Sequence, residues 1–99
     1  MPSTKFSELI KGDVPVLVDF TAEWCGPCKM LKPVLEDLKK QMGDKVRIIK
    51  IDVDQNPQIS SAYHIQGVPT VMVFKNGQMK WRQSGVMSAG DYVRAIESA

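Results

Sequence analysis

The feature that most constrains this chain is a pair of cysteines three residues apart, Cys25 and Cys28, set between a strand-like run and a helix-like run. Val14 to Thr21 is nearly all apolar and rich in β-branched residues, the pattern of a strand buried on both faces. Pro15 is tolerated there only because it lies near the strand start. After the cysteines, Met30, Leu31, Val34, Leu35, Leu38 and Met42 recur at the spacing of a core-facing helix. Lys29, Lys32, Glu36, Lys39 and Lys40 fall on its wet side. The pair therefore sits where a strand hands over to a helix, with Cys25 near the first helical residue. Backbone N–H groups at a helix start lack intrahelical partners, and the helix dipole places partial positive charge there. Both favour a thiolate, the reactive form of cysteine. Pro27 suits a first turn, where its missing N–H costs nothing. Gly26 leaves room for another backbone to approach.

The spacing points to the use of the pair. Cβ atoms three apart on a helix are roughly 5–6 Å apart and a disulfide wants about 3.8 Å, so a small adjustment opens or closes the bond. As a staple such a bond is weak, worth about 2 kcal/mol by loop entropy against about 3 for a fifteen-residue loop. A bond that forms easily and adds little stability reads as a redox switch. Two other uses stay open on spacing alone. The thiols could be inert and buried, or they could be half of a zinc site. Structural zinc commonly takes two such pairs, whereas here there is one pair and a lone His64 far along the chain.

The totals bound the rest. Ninety-nine residues suit one domain, residues 1–99, with one core. A net charge of +2 gives no argument for nucleic acid or an anionic membrane surface, and no basic tract is interleaved with aromatics. The longest apolar run is far short of a membrane span. The N-terminal residues lack the apolar segment of a signal peptide. Two redox-type cysteines without structural bridges fit a reducing compartment, so the expectation is a cytoplasmic protein with no metal and no bound cofactor, and no nucleotide fingerprint is present.

Along the chain, Ser3 or Thr4 could cap a short helix carrying Phe6, Leu9 and Ile10, closed by Gly12-Asp13. Pro33 should kink the long helix, and Gly43 should end it. Val46 to Asp52 reads as a second strand, parallel to the first by a right-handed crossover. Asn56 caps a short helix begun by Pro57, lined by Ile59, Ala62 and Tyr63, and ended at Gln66-Gly67. Thr70 to Lys75 is a third strand, Asn76-Gly77 a hairpin turn, and Gln78 to Ser84 a fourth strand alternating Met79 and Trp81 against Lys80 and Arg82. Ser88-Ala89-Gly90-Asp91 starts a last helix with Tyr92, Val93 and Ile96 inward. The sum is an α/β fold, three layers with a mixed four-stranded sheet of three parallel-or-crossover strands and one hairpin. Two charges look out of place. Asp19 lies among Val16, Leu17, Val18 and Phe20, where a carboxylate costs several kcal/mol unless protonated or paired. Lys50 interrupts Ile48-Ile49-Ile51. On pattern alone, either they share a site below the cysteines or Asp19 faces water at the sheet margin.

Trp24-Cys25-Gly26-Pro27-Cys28-Lys29, with Val18-Asp19-Phe20 before it and Gly67-Val68-Pro69-Thr70 after it, resembles the thioredoxin family, from about Val14 to the C-terminus. The resemblance implies the thioredoxin-like fold, here without the family's first N-terminal strand, so that the second strand becomes a sheet edge. It implies that the chain reduces disulfides of other proteins and is recharged by a thioredoxin reductase, in the family an NADPH-dependent flavoprotein. A monomer is expected. The resemblance assigns Cys25 as the attacking sulfur and Cys28 as the resolving one. It makes Asp19 a buried proton acceptor beside Lys50, and the Val68–Pro69 peptide a cis bond next to the disulfide. It also makes Trp24, Gly26, Pro27, Val68, Pro69 and Gly85 a docking patch for substrate proteins. Trp24 could otherwise be core, and His64 reads as solvent-facing or helix-capping. Thr21 departs from the family, where many members have an aromatic. Two rivals accompany this reading: an oxidase or isomerase running the same exchange in the other direction, and a docking module whose thiols are incidental.

Overall fold

The computed structural model describes the backbone of residues 2–99 and side chains from Phe6 onward. Element order is α1 (Pro2–Leu9), β1 (Val16–Thr21), α2 (Gly26–Met42), a 3₁₀ turn (Gly43–Lys45), β2 (Arg47–Asp52), α3 (Pro57–Ala62), β3 (Thr70–Lys75), β4 (Gln78–Ser84) and α4 (Ala89–Glu97). The strands form one sheet in the order β2-β1-β3-β4. Among the described residues no strand precedes α1, and β2 is an edge whose Arg47 reaches across to the carbonyls of Leu9 and Lys11.

Strand alternation splits the core. Leu17, Val71 and Val73 pack on one face under Leu31, Leu35 and Leu38 of α2 and Tyr92, Ala95 and Ile96 of α4. Val16, Val18, Phe20, Met72 and Phe74 pack on the other face with Phe6 of α1 and Ile59 of α3. Helices thus cover both faces, which is why β1 and β3 are apolar throughout. Phe6, Phe74 and Tyr63 meet edge-on, with ring centres 5.5–5.8 Å apart.

Several expectations are corrected. Only β1 and β2 are parallel; β3 runs antiparallel to β1. A six-residue strand is about 20 Å long, while a six-residue helix such as α3 rises only about 9 Å. The helix is too short to carry the chain back, so β3 re-enters from the end where β2 stopped. In β4 a bulge opposite Val73 and Phe74 breaks the alternation. Trp81 pairs with Val73 and Met79 with Phe74, on opposite faces. Met30 is 66% exposed instead of joining the core stripe of α2. The helix α1 is already under way at Pro2, ahead of both suggested caps, whose side chains lie outside the described residues. Asn56 occupies the first cap position of α3, but its amide donates to the Asp52 carbonyl and caps nothing. That helix ends at Ala62, and His64, two residues on and in the left-handed region at φ 55°, closes it before Gln66-Gly67 is reached. Ile65 N–H reaches Ser60 O and His64 N–H reaches Ser61 O, a Schellman closure usually built on glycine. Arg82 donates to the carbonyls of Tyr63 and His64 there.

Other local signals hold. Asn76 and Gly77 both have positive φ (53° and 79°), as a two-residue hairpin turn requires. The helix α2 runs through Pro33 and closes at Gly43, where Lys39 donates to the Gly43 and Val46 carbonyls. Ser88 and Asp91 form a reciprocal capping box at α4.

Leu38→Ala, at a fully buried position under β1 and β3, should cost about 2–5 kcal/mol. Ser88→Ala should cost about 1 kcal/mol through the lost cap. Urea unfolding of both variants measures the order, which is expected to be Leu38→Ala well below Ser88→Ala in midpoint.

Candidate active site

The cysteines lie at the start of α2, where β1 leads in. Cys25 is the N-cap residue, with extended backbone (φ −90°, ψ 114°). Its own N–H bonds the Ala22 carbonyl at 3.2 Å, which turns the chain from strand into helix. Its Sγ accepts the Cys28 backbone N–H at 3.1 Å. This is the bond an N-cap serine or aspartate would make, with sulfur in place of oxygen. Negative charge on that sulfur meets both a donor and the positive helix end. The two cysteines are joined by a disulfide with Cα atoms 5.3 Å apart. Together with Ala22 they form a small buried cluster against Val53 and Val68.

Exposure does not single out the first cysteine. In this oxidised state Cys25 is 3% exposed and Cys28 is 7% exposed, so Cys28 is not the more shielded residue. What separates them is the cap bond, which falls on Cys25 alone.

Around the pair, Gly26 and Pro27 are exposed, and Trp24 is 72% exposed, which rules out a core role for the indole. The Val68–Pro69 peptide is cis. The Val68 carbonyl oxygen lies 3.5 Å from Cys25 Sγ, which in the disulfide has no hydrogen to donate. Pro69 is buried, and its carbonyl accepts the N–H of Gly85, a residue held at φ 90°. Trp24, Val53, Ile65, Gln66, Gly67 and Val68 line a cleft of about 180 Å³. Thr21 is half-buried at the end of β1, and its carbonyl accepts the Val53 N–H.

Sequence reasoning missed Asp52 and Asp54. Asp52 Oδ1 accepts the N–H groups of Asp54 and Gln55, an Asx-type turn after β2. That turn places Asp54, whose carboxylate accepts the Trp24 indole N–H at 2.8 Å. The Asp-x-Asp-x-Asn-Pro run signalled a turn, but nothing in it named Trp24 as the partner.

Asp19 is 2% exposed, on the sheet face that α2 and α4 cover. One of its oxygens, Oδ1, has no hydrogen-bond partner among the described residues. Burial pushes its carboxyl up to about 6, and the charge of Lys50 opposes the shift. Lys50 is its register partner across β1 and β2, so both side chains leave the same face. Lys50 nevertheless remains exposed, and no ion pair joins the two among the described residues. The two are neighbours in the sheet without being a bonded pair. His64 sits at the helix closure, exposed and away from the sulfurs' cluster.

Stability should carry the signature of Asp19. An unfolded aspartate titrates near 3.8 and the buried one near 6, so between these values the folded state holds the extra proton. Stability is therefore greatest below the lower value, falls as pH rises through the window, and levels off above it, a loss of at most about 3 kcal/mol. Urea midpoints measured from pH 3.5 to 7.5 should fall in the parent and lose this slope in Asp19→Asn.

Comparison with known proteins agrees with this geometry. The family model described as Thioredoxin matches residues 1–98. The thioredoxin of Rickettsia bellii is 45% identical over 91 residues, covering 92% of this chain and 87% of that protein. The thioredoxin of Rhodospirillum rubrum is 48% identical over 92 residues, covering 93% and 88%. Among solved structures, oxidised mitochondrial thioredoxin 3 of Saccharomyces cerevisiae superposes with a TM-score of 0.87 at 35% identity, covering 98% of this chain and 90% of that one. The thioredoxin of Malassezia sympodialis gives 0.84 at 40% identity, covering 96% and 85%. With a redox disulfide at the head of α2, a mixed sheet between two helical layers and relatives of this likeness, the chain belongs to the thioredoxin family and is a dithiol–disulfide oxidoreductase.

Proposed function

We propose that Cys25 is the attacking sulfur and Cys28 the resolving one, and the observation that carries this is the cap bond from Cys28 N–H to Cys25 Sγ. The activity is reduction of disulfides in other proteins. The Cys25 thiolate attacks a substrate S–S bond, forming a mixed disulfide and expelling one substrate thiolate. Cys28 then gives up its proton and attacks Cys25 Sγ, expelling the second substrate thiolate and leaving the Cys25–Cys28 disulfide. Two electrons pass from the dithiol to the substrate, and a thioredoxin reductase restores the dithiol.

Asp19 is the proposed acceptor of the Cys28 proton. A carboxyl near 6 is ionised at neutral pH yet basic enough to take a proton. Its unpartnered oxygen leaves a lone pair unused within the buried layer. Lys50, one strand over, steadies the ionised form at a distance. The docking surface consists of Trp24, Gly26, Pro27, Val68, Pro69 and Gly85. An extended substrate segment would bond the Val68 backbone, as in strand addition, and Trp24 would cover its apolar residues. The chain works as one domain, 1–99, and as a monomer in the cytoplasm, on substrates and a reductase recognised through this face. Among the described residues no helix is long and apolar enough to cross a membrane.

Reduction of insulin by the dithiol form should stop in Cys25→Ser. In Cys28→Ser the first step should still run and the protein should accumulate as a covalent complex, visible on a non-reducing gel. Trapping through the wrong variant would reverse the assignment of the two sulfurs. Asp19→Asn should remove the inflection near pH 6 from the rate of the resolving step while leaving the first attack within about twofold; an unchanged profile excludes the proton-acceptor role.

A further inference from the structure

The hydroxyl of Tyr92 is a polar group, on a fully buried residue, that the exchange reaction does not use. The residue lies in the first turn of α4. The ring belongs to the core cluster that holds Leu17, Val71 and Val73 and stands edge-on to Trp81, with centres 6.0 Å apart at 89°. A ring held on all sides keeps its hydroxyl at one place. That hydroxyl accepts the backbone N–H of Met87 at 3.1 Å.

Met87 closes the loop that leaves β4, beginning at Gly85. Gly85 N–H bonds the carbonyl of Pro69 at 2.9 Å. Pro69 follows Val68, whose carbonyl touches Cys25 Sγ. A chain of two hydrogen bonds therefore links a side chain locked in the core to the wall beside the reactive sulfur. Val86 in the same loop is 37% exposed, so the loop itself sits at the surface and needs an anchor beneath it. The positions of Met87 and Tyr92 are those of a hydrophobic staple, which alone would fix only the entry angle of the helix. The hydrogen bond from the loop backbone to the phenol goes further, because it sets the loop's height over the core.

We infer that Tyr92 is a positioning residue for disulfide exchange: its hydroxyl holds the Gly85–Met87 loop against Pro69, so that one wall of the substrate surface is set before a protein disulfide arrives. The inference rests on the docking reading above. A preset wall matters for a protein substrate, which must lie along it, and not for a small disulfide that meets only the sulfur. The groups facing this hydroxyl are few. Asp19 across the layer and Asp91 on the same helix both act on it at a distance, and Lys50 acts on Asp19.

Tyr92→Phe keeps the ring and removes the anchor. The dithiol form of this variant should reduce insulin about three- to tenfold more slowly at limiting substrate, the range expected for one lost hydrogen bond. Its rate with a small aromatic disulfide should stay within about twofold. Amide exchange at Met87 should quicken by a similar factor while Leu31 and Val73 stay protected. Ile96→Val, on the same buried helix face, serves as the control for general loosening and should slow neither substrate selectively. Unchanged exchange at Met87 overturns the anchoring role. Faster exchange with an unchanged insulin rate overturns the assignment of this loop to docking. Equal slowing of both disulfides overturns positioning in favour of a general fold defect.

Discussion

The site depends on one contact, the backbone N–H of Cys28 pointing at the sulfur of Cys25. It exists because Cys25 occupies the cap position of α2, with Gly26 and Pro27 in the next two places, where an N–H has no intrahelical partner. The sulfur thereby stands at the positive end of a seventeen-residue helix. The same helix is pinned under the sheet by Leu31, Leu35 and Leu38, so the donor cannot move away from the sulfur without disturbing the core. The negative charge favoured at this sulfur is thus a by-product of helix packing, set at the head of a rigid element.

Around that contact the fold accepts two costs. One is Asp19, a carboxylate in an apolar layer with an oxygen left unpartnered. A buried group in that state is expensive, and such groups collect where chemistry needs a displaced pKa. The exposed Lys50 offsets part of the penalty through its charge, without a direct bond. The other is Trp24, a large indole left in water. It is held in place by Asp54, and the Asp52 turn in turn holds Asp54. Trp24 directly precedes Cys25, and Asp19 lies on β1, the strand that leads into it.

Much of the fold and the cysteine pair were legible in the chain, and the misses have identifiable causes. Helical and strand periodicity located the four strands and the helices α2 and α4 to within about two residues, whereas α3 stopped at Ala62, short of the expected Gln66-Gly67, and nothing in the pattern named the 3₁₀ turn at Gly43–Lys45. Met30 fell on the expected stripe, but it sits one residue, about 100° around the helix, before Leu31, at the flank of the stripe that Leu31, Leu35 and Leu38 bury, and it faces water. The β4 alternation read correctly as sequence, yet one inserted residue at the bulge moved Trp81 and Met79 to opposite faces. Glycine was expected at the end of α3, and a histidine adopted the left-handed conformation there instead, with Arg82 from β4 bonding the freed carbonyls. That arginine lies eighteen residues away from His64, which no local rule could connect.

The sequence by itself determined the reactive pair, its place at a strand-to-helix junction, the hairpin at Asn76-Gly77 and the Ser88 capping box. Each follows from sterics and hydrogen bonding within a few residues, which short-range patterns encode directly. Tertiary structure alone decided the direction of β3, the meeting of Trp24 with Asp54 across thirty residues, and the approach of Val68 to Cys25 across forty-three. It also decided that Lys50 stays in water and that the phenol of Tyr92 lies clamped against Trp81. The physical reason is that such contacts belong to no one segment. They are fixed when two helical layers close on the sheet from both sides, and their geometry is set by the packing of all the layers together.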